Sequence, residues 1–298
     1  MLQFKKGVNL QVVMSYNILK NIFYKTSYII LIFLILLDHS KAEIRINEDT
    51  VPSFDLEGNE EVTTMTNNGT VEGDFYLYAN STATTMTNNE TVGNDFYLYD
   101  NSTATTMTNN GDVGDFYLYA NSTATTMTNN ETVGNNFYLD DNSTATTVTN
   151  NGTVGVDFSL EYNSKATTVT NNKTVGVDFS LEYNSTATTM TNNGTVIDNF
   201  YLDDSIATTV TNNGTVGVDF YLNNSTATTM TNNGTVGVVF YLDNSTAKTM
   251  TNNGDVVDDF LLYYSTATTV TNNGTVGNNF YLAVDSTATT VTNNGTVG

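Results

Sequence analysis

Residues Ser143 to Tyr162 read S-T-A-T-T-V-T-N-N-G-T-V-G-V-D-F-S-L-E-Y. In the second half, Val154, Val156, Phe158, Leu160 and Tyr162 share one parity, with Thr153, Gly155, Asp157, Ser159 and Glu161 between them. Successive side chains of a strand point to opposite faces, so this alternation predicts one half-buried strand. Ahead of it, Thr144 to Thr149 form a run rich in β-branched residues, which predicts a second strand. Asn150-Asn151-Gly152 lies between the two. Asn and Gly accept a positive φ, which predicts a tight left-handed turn.

The same stretch recurs along the chain. The tripeptide T-N-N begins at Thr66, Thr87, Thr108, Thr128, Thr149, Thr170, Thr191, Thr211, Thr231, Thr251, Thr271 and Thr292, at spacings of 20 or 21 residues. A fixed period in the twenties is the signature of a stacked repeat array. Phe recurs at Phe75, Phe96, Phe116, Phe137, Phe158, Phe179, Phe200, Phe220, Phe240, Phe260 and Phe280, each followed two residues later by Leu. These phenylalanines are the expected core ladder. The residue before each Phe varies among Asp, Asn and once Val (Val239), and is expected at the surface. Most changes from 21 to 20 residues fall in the loop after Leu, but one falls between Val113 and Phe116 and predicts a local bend there. Residues 43–62 are acidic and lack the repeat's T-N-N, so they are expected to be a linker or the start of a cap. The array is then 63–298, about eleven units with the last incomplete.

One unit cannot fold alone. It offers three large apolar groups worth roughly 1.5–3 kcal/mol each if buried, while ordering its backbone costs about 1–2 kcal/mol per residue. Stacking is therefore required, and the fold class is all-β. A β-solenoid buries the apolar face inside each coil. An antiparallel meander or barrel with N-N-G hairpins is the alternative, followed by a largely disordered chain. Against the solenoid, like charges stacked at strand spacing cost about 1 kcal/mol per pair even in water.

The 298 residues contain no Cys, no Trp and one His, with a formal net charge of −22. No Ser-His-Asp triad, Cys-His pair or Cys/His zinc site can be built around the array. Tyr28 to Leu37 form an unbroken apolar run preceded by Lys5, Lys6, Lys20 and Lys25 and followed by Ser40 and Ala42. That order predicts a secretory signal peptide over 1–42, cut after Ala42. Those residues carry five Lys against one Asp, so the remainder moves from −22 to −26. Nucleic acid and anionic membranes are thereby excluded as partners, and a secreted or cell-surface location is expected, without disulfides.

Three kinds of candidate site follow. The N-x-[ST] glycosylation pattern occurs at the turn in Asn68, Asn89, Asn130, Asn151, Asn172, Asn193, Asn213, Asn233, Asn273 and Asn294. It occurs at the other join in Asn80, Asn101, Asn121, Asn142, Asn184, Asn223, Asn224 and Asn244. The pairs Thr144/Thr146 and Thr147/Thr149 form T-x-T ranks that resemble those of insect ice-binding solenoids, which implies an ice-binding alternative. Asp74, Asp95, Asp115, Asp157, Asp178, Asp219 and Asp259 form an acidic row; hard cations prefer oxygen ligands, making Ca²⁺ the candidate cofactor. Paired acids such as Asp203-Asp204 could in principle serve glycoside hydrolysis, but nothing sets one pair apart from the rest, and an enzyme is not expected.

At V-T-N-N-G-T-V-G (Val148 to Gly155, Val210 to Gly217) the chain resembles the Asn/Gly/Thr-rich arrays of secreted β-solenoid adhesins of the autotransporter-passenger type. The resemblance covers most of 63–298 and implies a fibrous, exposed, non-catalytic protein that adheres to surface ligands. A heavily N-glycosylated, mucin-like coat is a further alternative. Uniform β segments with open edges predict end-to-end self-association.

Overall fold

The computed structural model describes residues 43–298, so the expected signal peptide and its Ala42 cleavage point lie outside it. The described residues form an all-β solenoid of about twelve turns, without a helix. Every strand pair is parallel and joins equivalent residues of successive coils, as in Thr123↔Thr144, Phe116↔Phe137 and Thr132↔Thr153. The antiparallel meander is thereby overturned.

Each coil has three sides. In the coil quoted above, these are a long side, Thr144–Asn150, a short side, Thr153–Val154, and a Phe side, Phe158–Leu160. The long sides stack into a 13-stranded sheet and the Phe sides into a 12-stranded sheet. The short sides form sheets of nine and two strands. The interior holds Ala145, Val148, Val154, Phe158 and Leu160 with the polar Asn150 and Ser164, and their equivalents in other coils. Phe rings from Phe75 to Phe280 stack with centroids 4.6–4.9 Å apart. All are buried except Phe280, which is partly exposed.

Two details of the strand reading are corrected. The alternating run from Val154 to Tyr162 is not one strand. It breaks at Gly155–Asp157, which turns the corner between short and Phe sides, and Tyr162 points to solvent at the next corner. The run from Thr144 to Asn150 also changes parity: Ala145 and Val148 both face inward, and the ladder skips Thr146. One flat strand cannot close a coil this small, and the parity breaks supply the bends.

The corners differ from expectation too. Residues at Asn150-Asn151-Gly152 have no positive φ; left-handed residues fall at the other join, as Asp141/Asn142 (φ 48° and 62°) and Tyr183/Asn184 (52° and 62°). Coils with two residues between Leu and Ser use one left-handed residue there, such as Asp204, Asn224 or Asn244. That is how 20- and 21-residue coils stay in register. The other deletion, between Val113 and Phe116, lies where the short-side sheet is interrupted: Val92 and Val113 each pair only through an isolated bridge, Val71↔Val92 and Val113↔Val133.

Segment 43–62 supplies a coil of its own. Ile46-Asn47-Glu48-Asp49-Thr50-Val51 lies under Thr66-Asn67-Asn68-Gly69-Thr70-Val71, and Phe54 and Leu56 pair with Phe75 and Leu77. The F-x-L spacing was the available signal, masked by the missing second Asn.

Gly at the N-N-G corner answers a close approach. A Cβ on Gly111 would overlap the carbonyl oxygen of Glu90 in the coil before it, and one on Gly152 that of Glu131. From the first coil this corner alternates Asp49, Gly69, Glu90, Gly111, Glu131, Gly152, Lys173, Gly194, so no two side chains are stacked directly. Gly111→Ala puts side chains on three successive coils. It is expected to cost about 1–3 kcal/mol through overpacking, read as a lower denaturation midpoint; an unchanged midpoint would refute the close-approach reading.

Candidate functional site

The long sides present a threonine face. In each coil four Thr positions flank the inward Ala and Val/Met; in the coil quoted above two are exposed (Thr144, Thr146) and two half-buried (Thr147, Thr149). The rows of Thr147 and Thr149 are Thr in all twelve repeats, from Thr64 to Thr290 and from Thr66 to Thr292. The outer two rows are interrupted by Glu61, Lys165, Ile206 and Lys248. In-register parallel pairing sets the repeat along the axis at about 4.8 Å. Among the described residues one Thr–Thr hydroxyl bond occurs, Thr287 to Thr266 at 3.3 Å, so the hydroxyls elsewhere on this face are not consumed by each other.

Beside this face run two amide ladders. The first Asn of every T-N-N before the last is buried, and the Nδ2 of each donates to Oδ1 of the next coil at 2.7–2.9 Å, unbroken from Asn47 to Asn293. Its second N–H reaches a corner carbonyl, as Asn109 to Gly111 at 2.7 Å, and its Oδ1 accepts the Gly N–H, as at Asn150 and Gly152. Each buried amide is thus satisfied on both sides, as burial demands. The composition-based reading saw a turn here and missed the internal ladder.

The second Asn of each T-N-N is the turn-series glycosylation candidate. Asn68, Asn89, Asn130, Asn151, Asn172, Asn193, Asn213, Asn233, Asn273 and Asn294, with Asn110 and Asn253, form an external ladder. Each Nδ2, the atom a glycan would modify, donates to the coil before it at 2.7–3.0 Å. The other series differs: Asn80, Asn101, Asn121, Asn142 and Asn184 sit exposed in left-handed corners, as do Asn224 and Asn244, while Asn223 ends a Phe-side strand.

The acidic row is not a free surface. From Asp74 to Asp259 each Asp or Asn of the row is half-buried, and its Oδ1 accepts the backbone N–H of the equivalent residue one coil on. Asp95 to Asp115 N is 2.9 Å, Asp157 to Asp178 N 3.0 Å and Asp219 to Val239 N 2.9 Å. Asp and Asn alternate here because the corner needs one side-chain acceptor, which either supplies. Burial pushes the Asp95, Asp178 and Asp219 carboxyls above the usual carboxylate range. Among the described residues no three His, Cys, Asp or Glu converge as a metal site. Asp203 and Asp204 do not face one another as a pair; Asp203 accepts from Asn223 at 2.7 Å and Asp204 turns the corner with φ 47°.

A raised carboxyl pKa means the folded chain holds its proton more tightly than the unfolded chain. Stability then falls as pH rises through the raised value and returns as pH drops toward the unfolded value near 3.9. The chain is expected to melt at a higher temperature at pH 4.5 than at pH 7.5. Asp178→Asn keeps the acceptor and removes the charge, so it is expected to raise the pH 7.5 midpoint and flatten the profile. A lowered midpoint would reject this reading.

On the Phe side most of the residues between Phe and Leu are tyrosines. Tyr76, Tyr97, Tyr117 and Tyr138 stack at 4.7–5.1 Å, and Tyr201, Tyr221 and Tyr241 at 4.9–5.0 Å. Burial and the nearby carboxylates push the Tyr97 and Tyr241 hydroxyls up to about 12. Comparison of the chain with protein-family models, with curated proteins and with solved structures gives no match.

Proposed function

We propose that this chain is a non-enzymatic, secreted repeat protein that works at a cell surface or in an extracellular matrix, as an adhesive or structural rod. The observation that carries the reading is the threonine face: two rows of Thr repeated without interruption over twelve coils, held rigid by ladders beneath. A surface that repeats at a fixed interval matches a ligand that also repeats, because many weak contacts then act together. The resemblance to secreted β-solenoid adhesins supports the same reading.

Adsorption of the full chain to crystalline cellulose, chitin and ice tests it. Binding to at least one of these solids is expected, and Thr126→Lys, Thr168→Lys and Thr209→Lys together should weaken it by about tenfold or more. No adsorption to any of them, or adsorption indifferent to the three lysines, would remove the threonine face from the function.

Ice binding is the second reading, favoured by hydroxyl and methyl groups ranked in register and not consumed within the face. Thermal hysteresis of the purified chain separates it from adhesion to polymers. A densely glycosylated coat fits the geometry less well, since turn-series glycans would crowd at about 4.8 Å intervals. Glycans on Asn101, Asn121 and Asn142, in exposed corners, are the expectation for a eukaryotic source.

A further inference from the structure

The tyrosine ladder on the Phe side is missing rungs at two places, and the two differ. Between Tyr138 and Tyr201 the rungs are Ser159 and Ser180. Both serines are buried, at 2% and 1% exposure, because Glu161 and Glu182 fold over them. Ser159 donates to Glu161 at 2.7 Å, Ser180 to Glu182 at 2.9 Å, and Tyr201 to Glu182 at 2.6 Å. The chain closes this gap with its own side chains.

The second gap stays open. Leu261 stands in register between Tyr241 and Tyr281, where its side chain is too short to continue the stack. Residue 263, at the position of Glu161 and Glu182, is Tyr263, which packs edge-on against Tyr264 with centroids 4.3 Å apart. A shallow hollow open to solvent, of about 390 Å³, lies here, lined by Tyr241, Leu261, Tyr263, Tyr281, Val239, Asp219 and Asp243. Two rungs of the ladder span about 9.6 Å, which leaves room for one ring stacked on both neighbours.

We propose that this slot binds a planar aromatic cation, its ring replacing the missing rung between Tyr241 and Tyr281 and its charge held by Asp219 and Asp243. Leu261 forms the apolar floor. Asp219 is already engaged through Oδ1 with the Val239 N–H, which holds its carboxyl in place at the rim of the slot. Neither carboxylate has a cationic partner; both ion pairs among the described residues belong to Arg45. An unpaired carboxylate beside electron-rich ring faces favours a cation over a neutral ring.

Tryptamine is a suitable probe, because the chain has no Trp and indole fluorescence reports the ligand alone. Titration of the full chain is expected to give saturable anisotropy with one site per chain. Leu261→Tyr restores the residue found at this rung in neighbouring coils and should weaken binding by about tenfold or more. Asp243→Asn should weaken tryptamine by about threefold to tenfold and leave its neutral alcohol analogue unchanged. The proposal is overturned by absence of saturable binding at millimolar tryptamine, by undiminished binding to Leu261→Tyr, or by equal affinity for the neutral analogue.

Discussion

Asn150→Asp is expected to destabilise the array by about 3–5 kcal/mol at pH 7.5, as an uncompensated buried charge does. Asn150 is fully buried, and its Nδ2 donates to Asn171 Oδ1 at 2.8 Å while its Oδ1 accepts from Asn129 at 2.9 Å. A carboxylate keeps the second bond and loses the first. It also sets two oxygens against each other in a place water does not reach. The new carboxyl would have its folded-state pKa raised well above its unfolded value, so the penalty is full above the folded value and shrinks as pH falls through it. At pH 4.5 the protonated acid regains a donor, and the gap from the parent should narrow. Denaturant unfolding of both chains at the two pH values measures this. Equal stability at pH 7.5 would mean that the internal ladder contributes nothing to the fold. Asn150→Ala, which carries no charge, should cost less at pH 7.5 and show no such narrowing.

Phe158→Ala is expected to cost about 3–5 kcal/mol. The ring touches Phe137 at 4.7 Å and Phe179 at 4.8 Å and is fully buried, so its removal leaves a cavity with a Phe face on each side. In a stacked array each coil meets only its neighbours, and stability is close to a sum of nearest-neighbour terms. Phe158 lies in the middle coils. The loss therefore falls on the interfaces coupling the two halves, and unfolding should broaden or split into two transitions. Hydrogen exchange would locate the lesion, with protection lost first around Val154 to Leu160 and retained near Phe96 and Phe240. A single, equally steep transition at the parent midpoint would contradict the ladder's role.

The close-approach glycine and the half-buried carboxylates complete this picture. Gly111 and Asp178 read as turn and surface from composition, yet each answers a demand set by the coil before or after it. Such demands are inter-coil distances, and no single repeat contains them. The same holds for the open slot: Leu261 is an ordinary substitution until Tyr241 and Tyr281 are placed above and below it.

By itself the sequence determined the period, the β character, the Phe and Leu core and the threonine ranks, because these depend on side-chain volume and parity within one repeat. Parallel pairing, three sides instead of two strands, the internal Asn ladder and the corner role of the Asp row were decided by tertiary structure. The physical reason is closure. A coil of 20 or 21 residues returns onto itself only if strands bend at Thr146 and Gly155, and those bends choose which polar groups are buried. Once buried, Asn150 and Asp157 must find partners, and each finds one in its own equivalent one coil away.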